Sequence, residues 1–180
     1  MLDQLAEGIK HAVRHPGIGP ALVLLIAMAM GGKALLEILP EFADKVFDRG
    51  ASGLGEITAV SGVGGLIAAM WLAQRGHVRG LTRITILALL VTGLSIFGFV
   101  VTDWYPLALF SIFVLGVTGI YGGTATQTLM QHAVDGAMRG RVMSLYGVIH
   151  RGAPALGALV MGTVAEIIGI RWGVALGGIF

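Results

Sequence analysis

The stretch ITILALLVTGLSIFGFVV, residues 84–101, contains no charged side chain over its eighteen residues. A hydrocarbon core of about 30 Å requires an α-helix of about 20 apolar residues, so this stretch is predicted to cross a membrane. Comparable apolar runs lie on both sides of it, at residues 18–39, 53–73, 107–129 and 142–168. A sixth run, residues 170–180, is long enough for about half of the bilayer. The pattern predicts an all-α, polytopic membrane helical bundle.

The composition indicates lipid rather than water as the main solvent. Hydrophobic residues make up 56% of the chain and charged residues 12%, against about 25% charged residues in an average soluble domain. The 29 glycines suit membrane helices, in which small residues let backbones approach closely. The net charge of +2 comes from short basic clusters and no continuous stripe, so no nucleic-acid partner is expected. The chain has no cysteine, which excludes disulfides and thiolate metal sites.

Residues 1–17 differ from the rest of the chain. Their apolar side chains fall on one helical face and their charged side chains on the other, which predicts an amphipathic helix at the membrane interface. Pro16 and Gly17 end this helix, and the transmembrane bundle is expected over residues 18–180. Because Asp3 precedes any apolar run, the start does not fit a cleaved secretory signal.

Lysines and arginines are distributed unevenly between the two sides of the predicted bundle. The side that holds the N-terminus has seven in or near short loops: Lys10, Arg14, Arg75, Arg79, Arg83, Arg139 and Arg141. The other side has three: Lys45, Arg49 and Arg171. Cytoplasmic loops carry the excess of Lys and Arg, so the N-terminus is predicted to lie in the cytoplasm.

Four ionisable residues are predicted to lie at membrane depth, where a charge is costly unless it is paired or hydrated. Lys33 and Glu37 are one helical turn apart in the first run, so they can pair with each other. Glu56 lies near the outer end of the second run and Arg151 near the middle of the fifth. These groups either line a polar cavity for substrate or protons, or form inward ion pairs. Arg151 is the strongest cavity candidate, because Pro154 nearby loosens the backbone and a side chain at mid-bilayer is far from the interface.

The fourth run ends in a polar helical face made of Thr124, Gln127, Thr128 and Gln131. This face is either one side of a substrate or proton pathway or a set of interhelical hydrogen bonds. Gly119 and Gly123, like Ala153 and Gly157, are small residues at a spacing that predicts tight helix packing.

A catalytic interpretation has two candidate residues. The string GASG, residues 50–53, matches the G-x-S-G pattern of intramembrane serine proteases, with Ser52 as nucleophile and His150 as base. Their predicted depths differ by more than a hydrogen bond of about 3 Å allows, so an intramembrane hydrolase is a remote alternative. The remaining histidines have no metal-ligand spacing, and neither a metal nor another cofactor is expected.

Several short strings together resemble the major facilitator superfamily. They are EGI at 7–9, RHP at 14–16, RGHVRG at 75–80, RGRVMS at 139–144 and RGAPALG at 151–157. More narrowly, they look like the C-terminal half of the enterobactin-exporter-like branch, and the resemblance covers almost the whole chain. The string at 75–80 departs from the superfamily's gating motif, because Gln74 stands where an acid is usual.

The resemblance implies the C-terminal six-helix half of a major facilitator fold, with its last helix cut and an N-terminal six-helix half as its missing partner. It also implies secondary active, proton-coupled export of small organic molecules of drug or siderophore type across the bacterial inner membrane, by alternating access. Arg151 would then hold an acid or an anionic substrate, while Glu37 and Glu56 would titrate near the cavity. The gating-loop candidates are Arg75, Arg79, Arg139 and Arg141. The alternative is a non-transporting membrane scaffold, in which the polar residues only hold helices together.

Overall fold

A computed structural model describes residues 18–74, 80–134, 136 and 138–179. The first span, Ile18–Lys45, consists of α1 (Ile18–Met28), a π-helical turn (Ala29–Lys33) and α2 (Ala34–Lys45). The other long helices are α3 (Gly50–Gln74), α4 (Leu81–Val101), α5 (Tyr105–Ala133) and α6 (Arg139–Ile168). A short helix, α7 (Ile170–Ala175), and a 3-10 turn (Leu176–Gly178) follow. Among the described residues, five helices are long and apolar enough to cross a membrane, which confirms the predicted all-α membrane bundle.

The helices extend further than the apolar runs that predict them. The first span continues through Pro40 to Lys45, and α5 continues to Ala133. Backbone groups in the hydrocarbon core have no water to bond, and the same i→i−4 hydrogen-bond pattern continues from the core into the polar ends of these helices. The amphipathic helix predicted at residues 1–17 lies outside the described residues and stays a prediction.

Among the described residues, Gly50, Gly80 and Gly169 have a positive φ at or between helix ends. Gly80 has φ +82° immediately before α4, and Gly169 has φ +93° between α6 and α7. Glycine adopts this conformation at little cost because it has no Cβ. The chain therefore turns within a few residues between α6 and α7, and α4 begins directly after Gly80.

In the described part of the chain, two apolar clusters form the core, one near each end of the bundle. At the predicted outer end, the buried rings of Phe42 and Phe99 have centroids 5.0 Å apart. At the predicted cytoplasmic end, the start of the first span packs with the end of α5 and the start of α6, through residues such as Ile18, Met130 and Val142. The outer cluster joins the ends of the first span, α4 and α6 to the starts of α3 and α5. Successive long helices therefore run in opposite directions.

Close backbone contact joins α3 to α5. A Cβ on Gly64 would meet the carbonyl oxygen of Phe113, and a Cβ on Gly116 would meet that of Ser61. Helices in lipid gain stability from such contacts because no hydrophobic effect drives their association. Gly157 likewise packs against the Met30 carbonyl, so the predicted packing role of this glycine is confirmed.

Arg171, at the start of α7, fixes the predicted outer end of α4. Its guanidinium donates to the Val100 carbonyl at 2.9 Å and pairs with Asp103. A cation at a helix C-terminus offsets the partial negative charge of the last carbonyl groups. This contact holds the last described helix against the bundle.

Candidate functional site

An open cleft of about 770 Å³ lies between the first span, α3, α5 and α6, and Thr92 of α4 also borders it. Leu25, Met28, Leu66 and Ile120 are among its apolar lining residues. Its polar lining residues include Lys33, Ser61, Thr124, Gln127, Tyr146 and His150. Sites for small organic ligands have this volume and this mixture of an apolar surface with a few polar groups. They also occur commonly between the helices of bundles.

A π-helical turn brings the first span to the cleft. The turn is AMGGK, Ala29–Lys33, and it interrupts an otherwise α-helical span. Its two glycines are in close contact, since a Cβ on Gly31 would meet the Gly177 carbonyl and one on Gly32 would lie 2.9 Å from the Thr92 methyl. Such turns change the direction of the side chains that follow them and are frequent at functional sites. Here the turn ends at Lys33, whose side chain lines the cleft.

The Lys33 ammonium hydrogen-bonds to His150 of α6. Lys33 Nζ lies 2.5 Å from His150 Nε2, so the ammonium donates and the ring nitrogen accepts. The sequence suggested Glu37 as the partner of Lys33, and that expectation is wrong. The ion pairs among the described residues do not join Lys33 to Glu37, which is exposed. Lys33 is the last residue of the π-helical turn, and its side chain contacts His150 of α6 instead.

His150 is held by its own helix as well as by Lys33. The ring of Tyr146, one turn earlier, stacks on the imidazole with centroids 5.2 Å apart. Pro154, one turn later, has no N–H to donate to the His150 carbonyl. The helix is therefore weakened at His150, next to the cleft.

Gly119 and Gly123 line the cleft instead of packing against another helix. A Cβ at either position would have no heavy atom within 4 Å, and both residues border the cavity. The tight packing predicted for this pair is therefore wrong. In α5 the closely packed glycines are Gly116, against the α3 backbone, and Gly122, against the Met28 side chain. The two open glycines widen the cleft beside Thr124 and Gln127.

Arg151 and Gln131 lie outside this cleft. Arg151 follows His150 but is exposed on α6 and does not border the cavity. Gln131 borders a smaller cavity of about 410 Å³ at the predicted cytoplasmic end. Its backbone carbonyl accepts a hydrogen bond from Arg139 at 3.3 Å. Among the expected site residues, Lys33, Thr124 and Gln127 come together, whereas Arg151 and Gln131 do not join them.

Glu56 belongs to a polar cluster at the predicted outer end. Its carboxylate accepts a hydrogen bond from the Tyr105 hydroxyl at 2.8 Å and lies 3.5 Å from the Arg49 guanidinium. Arg49 also lies over the Tyr105 ring, 4.0 Å from its centroid. The cluster links the loop before α3 to the start of α5. Exposed ion pairs of this kind contribute at most about 1 kcal/mol to stability.

Of the gating-loop candidates, Arg75 and Arg79 lie outside the described residues. Arg139 contacts the end of α5 through the Gln131 carbonyl, and Arg141 approaches the sulfur of Met138 at 3.8 Å. Both arginines are exposed at the predicted cytoplasmic end. They therefore lie where a second domain or lipid headgroups can reach them.

The residues proposed for hydrolysis have other partners. Ser52 donates to the Arg49 carbonyl at 3.0 Å, near the start of α3, whereas His150 bonds to Lys33. The hydrogen bonds of these two residues do not join them. In the part of the chain that the structure describes, no three His, Asp or Glu side chains are grouped as metal ligands would be.

Comparison with known proteins gives one match. The family model described as Major Facilitator Superfamily matches residues 3–158, which is most of the chain. Neither the curated proteins nor the solved structures gave a match to this chain.

Proposed function

The chain belongs to the major facilitator superfamily, a family of membrane transporters, and we propose that its cleft lines the path of a small organic substrate across the membrane. The observation that carries the proposal is the cleft itself. All five described spans contribute to it, α4 through Thr92 alone, and it combines an apolar surface with the Lys33–His150 pair. In transporters built from two halves, substrate sites lie near mid-membrane at the interface of the halves.

We further propose that the open side of the cleft faces a second six-helix half. Rocking of the two halves would expose the cleft to each side of the membrane in turn. Arg139 and Arg141, together with Arg75 and Arg79, would contact the other half or lipid headgroups at the cytoplasmic end and would favour one state over the other. The basic residues at this end support a cytoplasmic N-terminus.

The proposed direction is export, coupled to the entry of protons across a bacterial inner membrane. The motif resemblance to the enterobactin-exporter-like branch supports substrates of drug or siderophore type. Candidate proton carriers are His150 in the cleft and the carboxylates of Glu37 and Glu56 in the outer halves of their helices. Arg151 is exposed beside the cleft, where it would hold an acid of the second half or an anionic substrate.

Efflux of two fluorescent dyes tests this proposal. Cells expressing the complete gene product are loaded with carboxyfluorescein, as its diacetate, or with rhodamine 123. We expect faster efflux of at least one dye than in control cells, and we expect collapse of the proton gradient to remove the difference.

Arg151→Leu should reduce the efflux rate by about tenfold, as expected for the loss of a charge-assisted contact. Arg151→Lys keeps the positive charge and should retain part of the efflux rate.

Membrane fractions of the Arg151 variants are compared with those of the parent, and we expect equal amounts of inserted protein. Unaltered efflux in Arg151→Leu would remove Arg151 from the path. Equal efflux with and without the protein, for both dyes, would favour the scaffold interpretation over transport.

A further inference from the structure

Lys33 is a cation without a described counter-ion. Among the cleft-lining residues that the structure describes there is no Asp or Glu, and Lys33 is the single Lys or Arg. The described ion pairs use acids elsewhere, in Lys45–Glu41, Arg49–Glu56 and Arg171–Asp103. The described part of the cleft therefore carries an uncompensated positive charge.

The depth of Lys33 makes this charge costly. Lys33 is fifteen residues beyond Ile18 along the first span, which corresponds to about 22 Å at 1.5 Å per residue. It is therefore far from the headgroups at the cytoplasmic end, and eleven residues of helix lie between it and Lys45 at the other end. An ammonium group at such a depth needs a partner or hydration. His150 supplies a hydrogen-bond acceptor but no negative charge.

The residues around Lys33 indicate which kind of anionic ligand would pair with its ammonium. Tyr146, Leu25, Met28 and Ile120 give the cleft a largely apolar and aromatic surface, which suits a ligand with an apolar or aromatic body. We infer that the cleft binds an organic anion, with its anionic group on the Lys33 ammonium and its apolar body between the first span, α5 and α6. This inference rests on the proposed transport function and specifies the charge of the substrate.

His150 positions Lys33 in this arrangement. Its ring nitrogen holds the ammonium at 2.5 Å while Tyr146 holds the ring. Lys33 Nζ has three donor hydrogens, so one can remain on His150 while another binds the anion. A free organic anion fits this cleft better than a lipid headgroup, because the lining around Lys33 is largely apolar and suits the body of an organic ligand.

Dye binding to the purified gene product in phosphatidylcholine nanodiscs tests the inference. Carboxyfluorescein and rhodamine 123 share a xanthene ring system but differ in the sign of their charge. We expect carboxyfluorescein to bind at least about tenfold more tightly than rhodamine 123, as one charge-assisted contact provides. This comparison needs no substitution, so it does not depend on the folding of a variant.

Substitutions then locate the contact. We expect Lys33→Gln to weaken carboxyfluorescein binding by about tenfold or more and to leave rhodamine 123 binding unchanged or stronger. Lys33→Arg should retain binding within about threefold, since it keeps the charge. The matched control is Lys45→Gln, because Lys45 is exposed and already paired with Glu41 at 2.6 Å.

Three outcomes overturn the inference. Equal or tighter binding of rhodamine 123 would exclude an anion site while leaving a transport cleft in place. Loss of carboxyfluorescein binding when phosphatidylglycerol is added to the nanodiscs would identify an anionic lipid as the ligand. Binding of neither dye, together with no efflux of either dye, would contradict the proposed transport function as well.

Discussion

Replacing Gly116 with leucine is expected to lower the unfolding temperature of the purified gene product by on the order of 10 °C. A Cβ at this position would meet the Ser61 carbonyl oxygen and would lie 2.9 Å from the Ser61 carbonyl carbon and 3.2 Å from the Gly65 nitrogen. These neighbours are backbone atoms of α3, so no side chain can rotate away. The α3–α5 contact must therefore separate, and Gly64 would lose its own contact with Phe113.

Gly119→Leu is the matched control for this effect. It places the same side chain one turn further along α5, where no heavy atom lies within 4 Å of the added Cβ. We expect its unfolding temperature to stay within about 3 °C of the parent, as for substitutions that cause no overpacking. Similar unfolding temperatures for Gly116→Leu and Gly119→Leu, measured by thermal denaturation in the same detergent, would contradict the described packing of α3 on α5.

Gly119→Trp is expected to abolish dye efflux while the protein still inserts and folds. The indole would project into the cleft, where Gly119 and Gly123 leave open space. It would occupy the volume proposed for the substrate's apolar body. We expect at least about a hundredfold loss of the transport rate, because binding is lost and bulky groups in the path oppose the change between the two states.

The control for Gly119→Trp is Gly162→Trp in α6. Gly162 also has no heavy atom within 4 Å of an added Cβ, but it does not border the cleft. Efflux should be preserved in this variant. If both tryptophan variants transport the dye at the parental rate, the substrate path lies elsewhere.

The helices were predictable because their driving force is local. A run such as residues 84–101 can satisfy its backbone groups in lipid only as a helix, so length and hydropathy are sufficient to identify it. Helix bounds were less accurate, because the polar ends of the helices continue the hydrogen-bond pattern beyond the apolar residues. The π-helical turn at Ala29–Lys33 was missed, since its Met-Gly-Gly sequence permits this geometry without requiring it.

Site residues were harder to predict because their partners come from distant parts of the chain. Lys33 and His150 are 117 residues apart in sequence, and only the packing of α6 on the first span brings them together. The i, i+4 spacing of Tyr146 and His150 indicates a shared face, but the rotation of α6 that turns this face to the cleft is a tertiary property. Gly119 and Gly123 illustrate the same limit. Their spacing is identical in a packed interface and in an open cleft.

The central claim is that the cleft becomes accessible to water and substrate from each side of the membrane in turn. Thiol labelling tests this claim most directly. The chain has no cysteine, so Thr124→Cys introduces a single thiol in this chain, at an exposed residue of the cleft. The control is Leu94→Cys on α4, where Leu94 is 72% exposed and does not border the cleft. A cysteine facing lipid should not react with a charged maleimide, because the reactive thiolate requires water.

The experiment uses right-side-out and inside-out membrane vesicles with a membrane-impermeant maleimide. We predict that Thr124→Cys is labelled in both vesicle types, that carboxyfluorescein slows the labelling several-fold, and that Leu94→Cys stays unlabelled. If Thr124→Cys is as unreactive as Leu94→Cys in both vesicle types, the cleft is closed to water and does not form part of a transport path.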